Sequence, residues 1–190
     1  NADGAEVICF VGLSGGVGTT TLAINYAFEK SQVSTVLLAD LDGKNPDVAR
    51  ALGLHRIEGR NEKISKSLFA SQGIPTPMQC DKYVFDLGSN IHHPLLENAD
   101  EIYLVTKVGF NTLARLQELD LAPTALVINF ADRTKAQIKW LSQIEEAFPR
   151  LNILRVPFDS KAFESAAQSK SALIEIAANS LARKSIATLG

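Results

Sequence analysis

The chain has 190 residues, 46% apolar and 21% charged, with a formal net charge of −2. This suits a single α/β domain spanning residues 1–190 with a full core, and it excludes a disordered chain or a globally basic nucleic-acid binder. No apolar run approaches the length of a transmembrane helix, and there is no signal peptide. Cys9 and Cys80 lie far apart without metal or redox spacing, which reads as two reduced thiols in a cytoplasmic protein. The first residue is Asn1 rather than Met, which fits a domain excised from a longer chain with a preceding N-terminal domain.

Residues 7–11 form an apolar run that predicts a buried strand, and 22–27 predict the first turns of a helix. Between them stands Gly12-Leu13-Ser14-Gly15-Gly16-Val17-Gly18-Thr19-Thr20-Thr21. Strand, glycine loop and helix start form the setting in which backbone N–H groups close around a phosphate at a positive helix end. The plainer alternative is a glycine turn that merely packs helix on strand. A strict G-x-x-x-x-G-K-[ST] pattern would need Gly at Leu13 and Lys at Thr19, while Thr20 keeps the magnesium hydroxyl position.

Residues 34–40 predict a second strand ending in Asp40, followed by Asp42 and then Pro46-Asp47. Acids at a strand's carboxyl end beside a phosphate loop sit where open α/β sheets bind ligands. They would equally cap a turn before a helix over 46–52 that starts at Pro46. The mixed charges of 55–66 read as a solvated helix or loop, 66–70 as a short helix and 73–77 as a turn or extended segment. This middle region is short and fits the loss of a helix or strand. Residues 83–87 predict a third strand carrying Asp86, with Gly88-Ser89-Asn90 after it. His92-His93 has no third ligand nearby and reads as loop.

A fourth strand is expected over 99–106, a helix over 112–121 and a fifth strand over 125–129 ending in Asn129. An amide there either donates and accepts on one purine edge or terminates the strand in a turn. Arg133 lies just beyond, placed to stack on a base or cap the next helix. That helix spans 135–148 with Ile138, Leu141, Ile144 and Phe148 on its apolar face and Trp140 in the core or an interface. A sixth strand over 153–159 turns at Pro157, and helices follow over 161–168 and 173–189. The tail lacks a basic amphipathic membrane helix. The alternation predicts a doubly wound, mostly parallel α/β sheet.

Gly15-Gly16-Val17-Gly18 with Thr19, Thr20 and Thr21 resembles the deviant Walker A motif, K-G-G-V-G-K-T-T, of the ParA/MinD superfamily of P-loop ATPases. Ser14 and Thr19 stand where that motif has its two lysines. Loss of the second, with G-V-G followed by Ser or Thr, is a feature of the TadZ/CpaE branch, which places and assembles Flp/Tad pili. The stretch from Asp40 resembles the switch I region of MinD and CpaE relatives, and the stretch ending in Asp86 resembles Walker B leading into switch II. The run from Ala99 is similar to ParA-like and CpaE-like sequences, and the run from Pro157 resembles TadZ/CpaE proteins. Only the middle third of the chain falls outside the likeness. The resemblance implies that residues 15–21 bind phosphate and that Asn129, Arg133 and Pro157 line a base pocket. It further implies that Thr20, Asp40 and Asp86 surround a Mg2+ ion and that Asp42 orients the attacking water. The cofactor would be ATP or ADP with magnesium, held weakly. A loop lysine is worth about ten- to a hundred-fold in affinity. Hydrolysis is expected to be very slow or absent. A homodimer is implied, with pilus or secretion machinery as partners, and a cytoplasmic protein recruited by them to a cell pole or the inner membrane face. Two alternatives remain: a working ATPase in which Lys44 or Arg133 replaces the lysine, and a DNA-binding partition protein using Arg155, Lys161, Arg183 and Lys184. Those four are interspersed with acids, so DNA is not the expected partner.

Overall fold

The structure is a computed structural model and describes residues 4–55 and 57–190. Expectations that touch Asn1, and Arg56 within the charged stretch, lie outside the described residues. Among the described residues, eight strands form one sheet in the order β3-β4-β2-β5-β1-β6-β7-β8. They are β1 (Glu6–Gly12), β2 (Val36–Asp40), β3 (Glu62–Lys63), β4 (Leu68–Gln72), β5 (Lys82–Asp86), β6 (Glu101–Thr106), β7 (Ala125–Ala131) and β8 (Ile153–Pro157). Every pairing is parallel except β3 with β4. The continuous apolar runs of β1, β2, β6 and β7 follow from burial on both faces, as helices cover each side of a parallel sheet.

The helices are α1 (Thr19–Lys30), α2 (Val48–Ala51), α3 (Thr112–Gln117), α4 (Lys135–Ala147), α5 (Ser160–Gln168), α6 (Leu173–Ile176) and α7 (Leu181–Ile186). One core lies under α1, α5, α6 and α7, where Phe10, Tyr26 and Tyr103 meet with ring centroids 5.0–5.7 Å apart. The other lies under α3 and α4 and includes Val11, Leu104, Ile128, Leu141 and Ile144. Cys9 is buried there, and burial pushes its thiol up to about 12. Trp140 packs against this second core, half-buried, whereas Ile138 on the same helix is 53% exposed. Among the described residues, no helix is long and apolar enough to cross a membrane.

The helix expected over 112–121 stops at Gln117, and four further elements differ from the sequence expectations. The short helix expected over 66–70 is instead β4, in register with β2 from Val36↔Leu68 to Asp40↔Gln72. Pairing with a formed neighbour decides a segment this short, where local propensity is weak. The middle region thus holds two strands, β3 and β4. The helix expected over 46–52 covers only Val48–Ala51, where Asp40 Oδ2 accepts the Val48 N–H at 2.9 Å and ties the first turn to the end of β2. Residues 173–189 form two short helices, α6 and α7, broken at Ala177 (φ −142°). Strand β7 runs past Asn129 to Ala131 through an irregularity in its pairing with β8, where Phe130 takes a positive φ of 51°. In the loop after β5, His93 Nδ1 accepts the Leu95 N–H and caps a 3-10 turn, Pro94–Asn98.

Candidate functional site

The glycine loop, residues 13–18, joins β1 to α1 at the carboxyl edge of the sheet. A Cβ at Gly12 would fall 2.6 Å from Thr19 Oγ1 and 2.9 Å from the Ser14 carbonyl. The loop's tight base thus needs the glycine one position before the strict motif, and Leu13 is tolerated at the motif position itself. Gly16 and Gly18 adopt φ of 72° and 88°. A Cβ at Gly15 or Gly16 would meet nothing within 4 Å, so the crest of the loop faces open space. Helix α1 has no side-chain cap and no acid in its first turn, which leaves its first N–H groups and its positive dipole end for an anion.

Asn129 ties this loop from below. Its Nδ2 donates to the Val17 carbonyl at 2.9 Å, and its Oδ1 accepts the Phe130 N–H at 2.9 Å. The residue is buried, and Gly18 must be glycine because a Cβ there would fall 2.3 Å from that amide nitrogen.

The acids form an adjoining row. Asp40 and Asp86 end neighbouring strands in direct register. Asp40 spends Oδ1 on the Asp42 N–H (3.1 Å) and Oδ2 on the Val48 N–H (2.9 Å). Burial pushes its carboxyl up, against the pull of those amides. Asp86 is fully buried; its Oδ1 accepts the Gly88 N–H at 3.0 Å, while Oδ2 has no hydrogen-bond partner. Burial pushes the Asp86 carboxyl up to about 6, opposed by the Thr20 hydroxyl and the Gly88 N–H. Asp42 Oδ1 accepts the N–H groups of Lys44 (2.9 Å) and Asn45 (3.1 Å), so a short side-chain turn fixes it.

Two adjoining cavities open over these groups. One, about 820 Å³, is lined by Ser14, Gly15, Gly16 and residues 18–21, and by Asp42, Lys44, Gly88 and Ser89. The other, about 500 Å³, lies between α1, α2 and α5 and is lined by apolar groups such as Ile24, Leu52, Phe163 and Ala166, with Asn129 at its edge. Thr20, Thr21, Asp47, Arg50 and Phe130 border both. A polar cradle therefore opens onto an apolar slot. Buried Val17 contributes only its carbonyl to the lock below the loop, and Arg133 and Pro157 line neither cavity.

Sequence reasoning missed Arg50 and Phe130. Phe130 stands at the junction of the cavities, with Lys107 Nζ 4.2 Å from its ring centroid and the Phe158 ring at 5.6 Å. A local signal for it was lacking, because an irregular strand end turns it there. Arg50 had one: a cation a helical turn after Asp47, on the segment following the acids.

Fold and cleft together define an α/β protein with a glycine loop and two adjoining cavities at the carboxyl edge of a mostly parallel sheet. No protein-family model matches the chain, and no curated protein matches it significantly in sequence. Solved structures do. A ParA family ATPase from Chlorobium tepidum is 22% identical, with 97% of each chain covered and a TM-score of 0.73. A plasmid partition protein from Borrelia burgdorferi bound to AMPPNP is 14% identical, with 96% of each chain covered and a TM-score of 0.71. The septum site-determining protein MinD of Pyrococcus horikoshii, complexed with Mg-ADP, is 15% identical over 96% of this chain and 93% of its own, with a TM-score of 0.68. The fold is that of the ParA/MinD-like P-loop ATPases.

Proposed function

We propose that this chain is a nucleotide-binding module that positions or assembles a pilus or secretion apparatus, as a homodimer, with hydrolysis very slow or absent. The observation that carries the nucleotide part is the buried, unpartnered Oδ2 of Asp86, beside Thr20 and below an uncapped glycine loop. An orphaned carboxylate oxygen of this kind suits a hydrated Mg2+, which takes few carboxylates and keeps several waters. Thr20 and Asp86 would hold that ion, and Asp40, whose oxygens are already committed, would fix the loop around it. Bound magnesium would neutralise charge on the β- and γ-phosphates.

The chain's own groups do the rest. Loop amides and the start of α1 hold phosphate, and the apolar slot beside Phe130 and Phe163 excludes water from a base. Asp42, on the cleft wall, would orient a water. With Ser14 and Thr19 in place of lysines, the loop supplies no cation as charge moves to the leaving phosphate, and turnover suffers more than binding. The pilus role, the recruitment to a pole or inner membrane face and the dimer rest on the TadZ/CpaE resemblance of the loop.

Calorimetry with ATP and ADP in the presence of magnesium tests the nucleotide reading, on the unaltered chain and on Thr19→Lys. Weak binding that tightens about ten- to a hundred-fold in Thr19→Lys is the expected result. No binding by either chain removes nucleotide from the account.

A working ATPase is the second reading, favoured by the cations Lys44 and Arg50 on the cleft wall. Magnesium-dependent phosphate release abolished by Asp42→Ala would establish it. The DNA-binding reading has less behind it, since Arg155 pairs with Glu145 at 2.7 Å and Arg183 pairs with Glu29 at 2.5 Å.

A further inference from the structure

Arg50 has a chemistry that the leading reading leaves unused. It occupies the third position of α2 and borders both the loop cavity and the apolar cavity. Its guanidinium is held flat against Asp47 by a two-point fork, Nε to Oδ1 at 3.0 Å and Nη2 to Oδ2 at 2.8 Å. Both partners are exposed, at 78% and 42% of their side-chain surface. An ion pair this exposed holds weakly, because water screens the attraction and ordering two side chains opposes it. A fork that donates to two carboxylate oxygens can donate to two phosphate oxygens in the same geometry. The anionic ligand needs only to outcompete one solvated carboxylate.

We infer that Arg50 is the phosphate-binding cation of this cleft, replacing from α2 the charge that the glycine loop lacks, and that Asp47 is its built-in competitor. The ligand class is a nucleoside di- or triphosphate, so the inference rests on the nucleotide reading above. Two other cations were open as substitutes. Arg133 lines neither cavity. Lys44 lines only the loop cavity and offers a point charge rather than a fork. Arg50 alone of the three stands where the phosphate cradle meets the apolar slot. This arrangement carries a signature that a merely structural ion pair lacks: removing the two partners should move affinity in opposite directions.

The experiment is calorimetric titration of ADP and of ATP, each with magnesium, into the unaltered chain and into Arg50→Ala, Arg50→Lys, Asp47→Asn, Lys44→Ala and Arg150→Ala. Thermal unfolding checks that each variant is folded. Arg50→Ala is expected to weaken binding about ten- to a hundred-fold. Arg50→Lys should recover part of that loss, because it restores charge without the fork. Asp47→Asn should tighten binding a few-fold by freeing the guanidinium. Arg150, exposed in the turn after α4, should be silent. If the unaltered chain binds and folded Arg50→Ala binds equally well, the inference is overturned and the nucleotide reading stands. Loss of binding in Lys44→Ala but not in Arg50→Ala would hand the role to Lys44 and overturn it too. If Arg50→Ala and Asp47→Asn both weaken binding, the pair is structural and the inference fails. Absence of binding by the unaltered chain and by Thr19→Lys overturns the nucleotide reading itself.

Discussion

Gly88 has a φ of +57°, and a Cβ there would fall 2.3 Å from Oδ2 of Asp42. The loop after β5 and the loop after β2 thus meet without room for a single methyl group. One glycine sets where the Asp42 carboxylate can stand on the cleft wall.

Gly88→Ala should therefore do two things at once. The left-handed backbone costs about 1–2 kcal/mol for a residue with a Cβ. The methyl also drives the Asp42 carboxylate off the Lys44 and Asn45 amides that fix it. Urea unfolding should show the stability loss, and any magnesium-dependent turnover should fall further than Asp42→Asn alone would make it fall. A variant as stable as the parent would mean that the two loops move apart freely.

Asn129→Ala should loosen the glycine loop from a distance of 112 residues in sequence. It strands the buried Val17 carbonyl and the Phe130 N–H together, at a cost of about 2–3 kcal/mol. Hydrogen exchange should quicken at the amides of residues 16–19 more than in β1. Unchanged exchange there would show that the glycine loop holds its own shape.

Asp86 makes stability depend on pH in the unusual direction for a carboxylate. Its folded value, about 6, lies above the 3.8 of an ordinary aspartate, so the native chain binds this proton more tightly than the unfolded one. The contribution is fully present below about pH 4 and is lost as pH rises through about 6. Over that window the slope approaches about 1.4 kcal/mol per pH unit. Asp86→Asn should remove this share of the slope in unfolding measured between pH 4 and 7 without added metal. An unchanged profile in Asp86→Asn would place the titrating group elsewhere.

The parts of the fold that were legible in the sequence share one physical cause. Strands β1, β2, β5, β6 and β7 are buried, and four of them read as near-continuous apolar runs from sequence alone. Asp40, Asp42 and Asp86 were visible because acids at strand ends break those runs abruptly. Strand β4 was not, since Leu68-Phe69-Ala70-Ser71-Gln72 is too short to show a period and takes its state from β2. The break at Ala177 lacks the glycine or proline that would mark it. Asn129 illustrates the limit for the site. Its type and position were readable, but its lock on Val17 depends on which strand lands beside β1's loop. Phe130 and Arg50 reach the cleft through a strand irregularity and a one-turn helix, neither of which has a period to detect.

Strand order also bears on how copies of this chain can associate. The sheet closes at one margin on β3, two charged residues long, and at the other on β8, where Pro157 removes a donor and Arg155 is engaged with Glu145. Short, charged or proline-bearing margins make poor templates for a ninth strand. Growth of the sheet from one molecule into the next is discouraged at both ends, as is edge-to-edge aggregation. Self-association is thereby steered to the sheet's carboxyl rim or its helical flanks, so a dimer would form without lengthening the sheet.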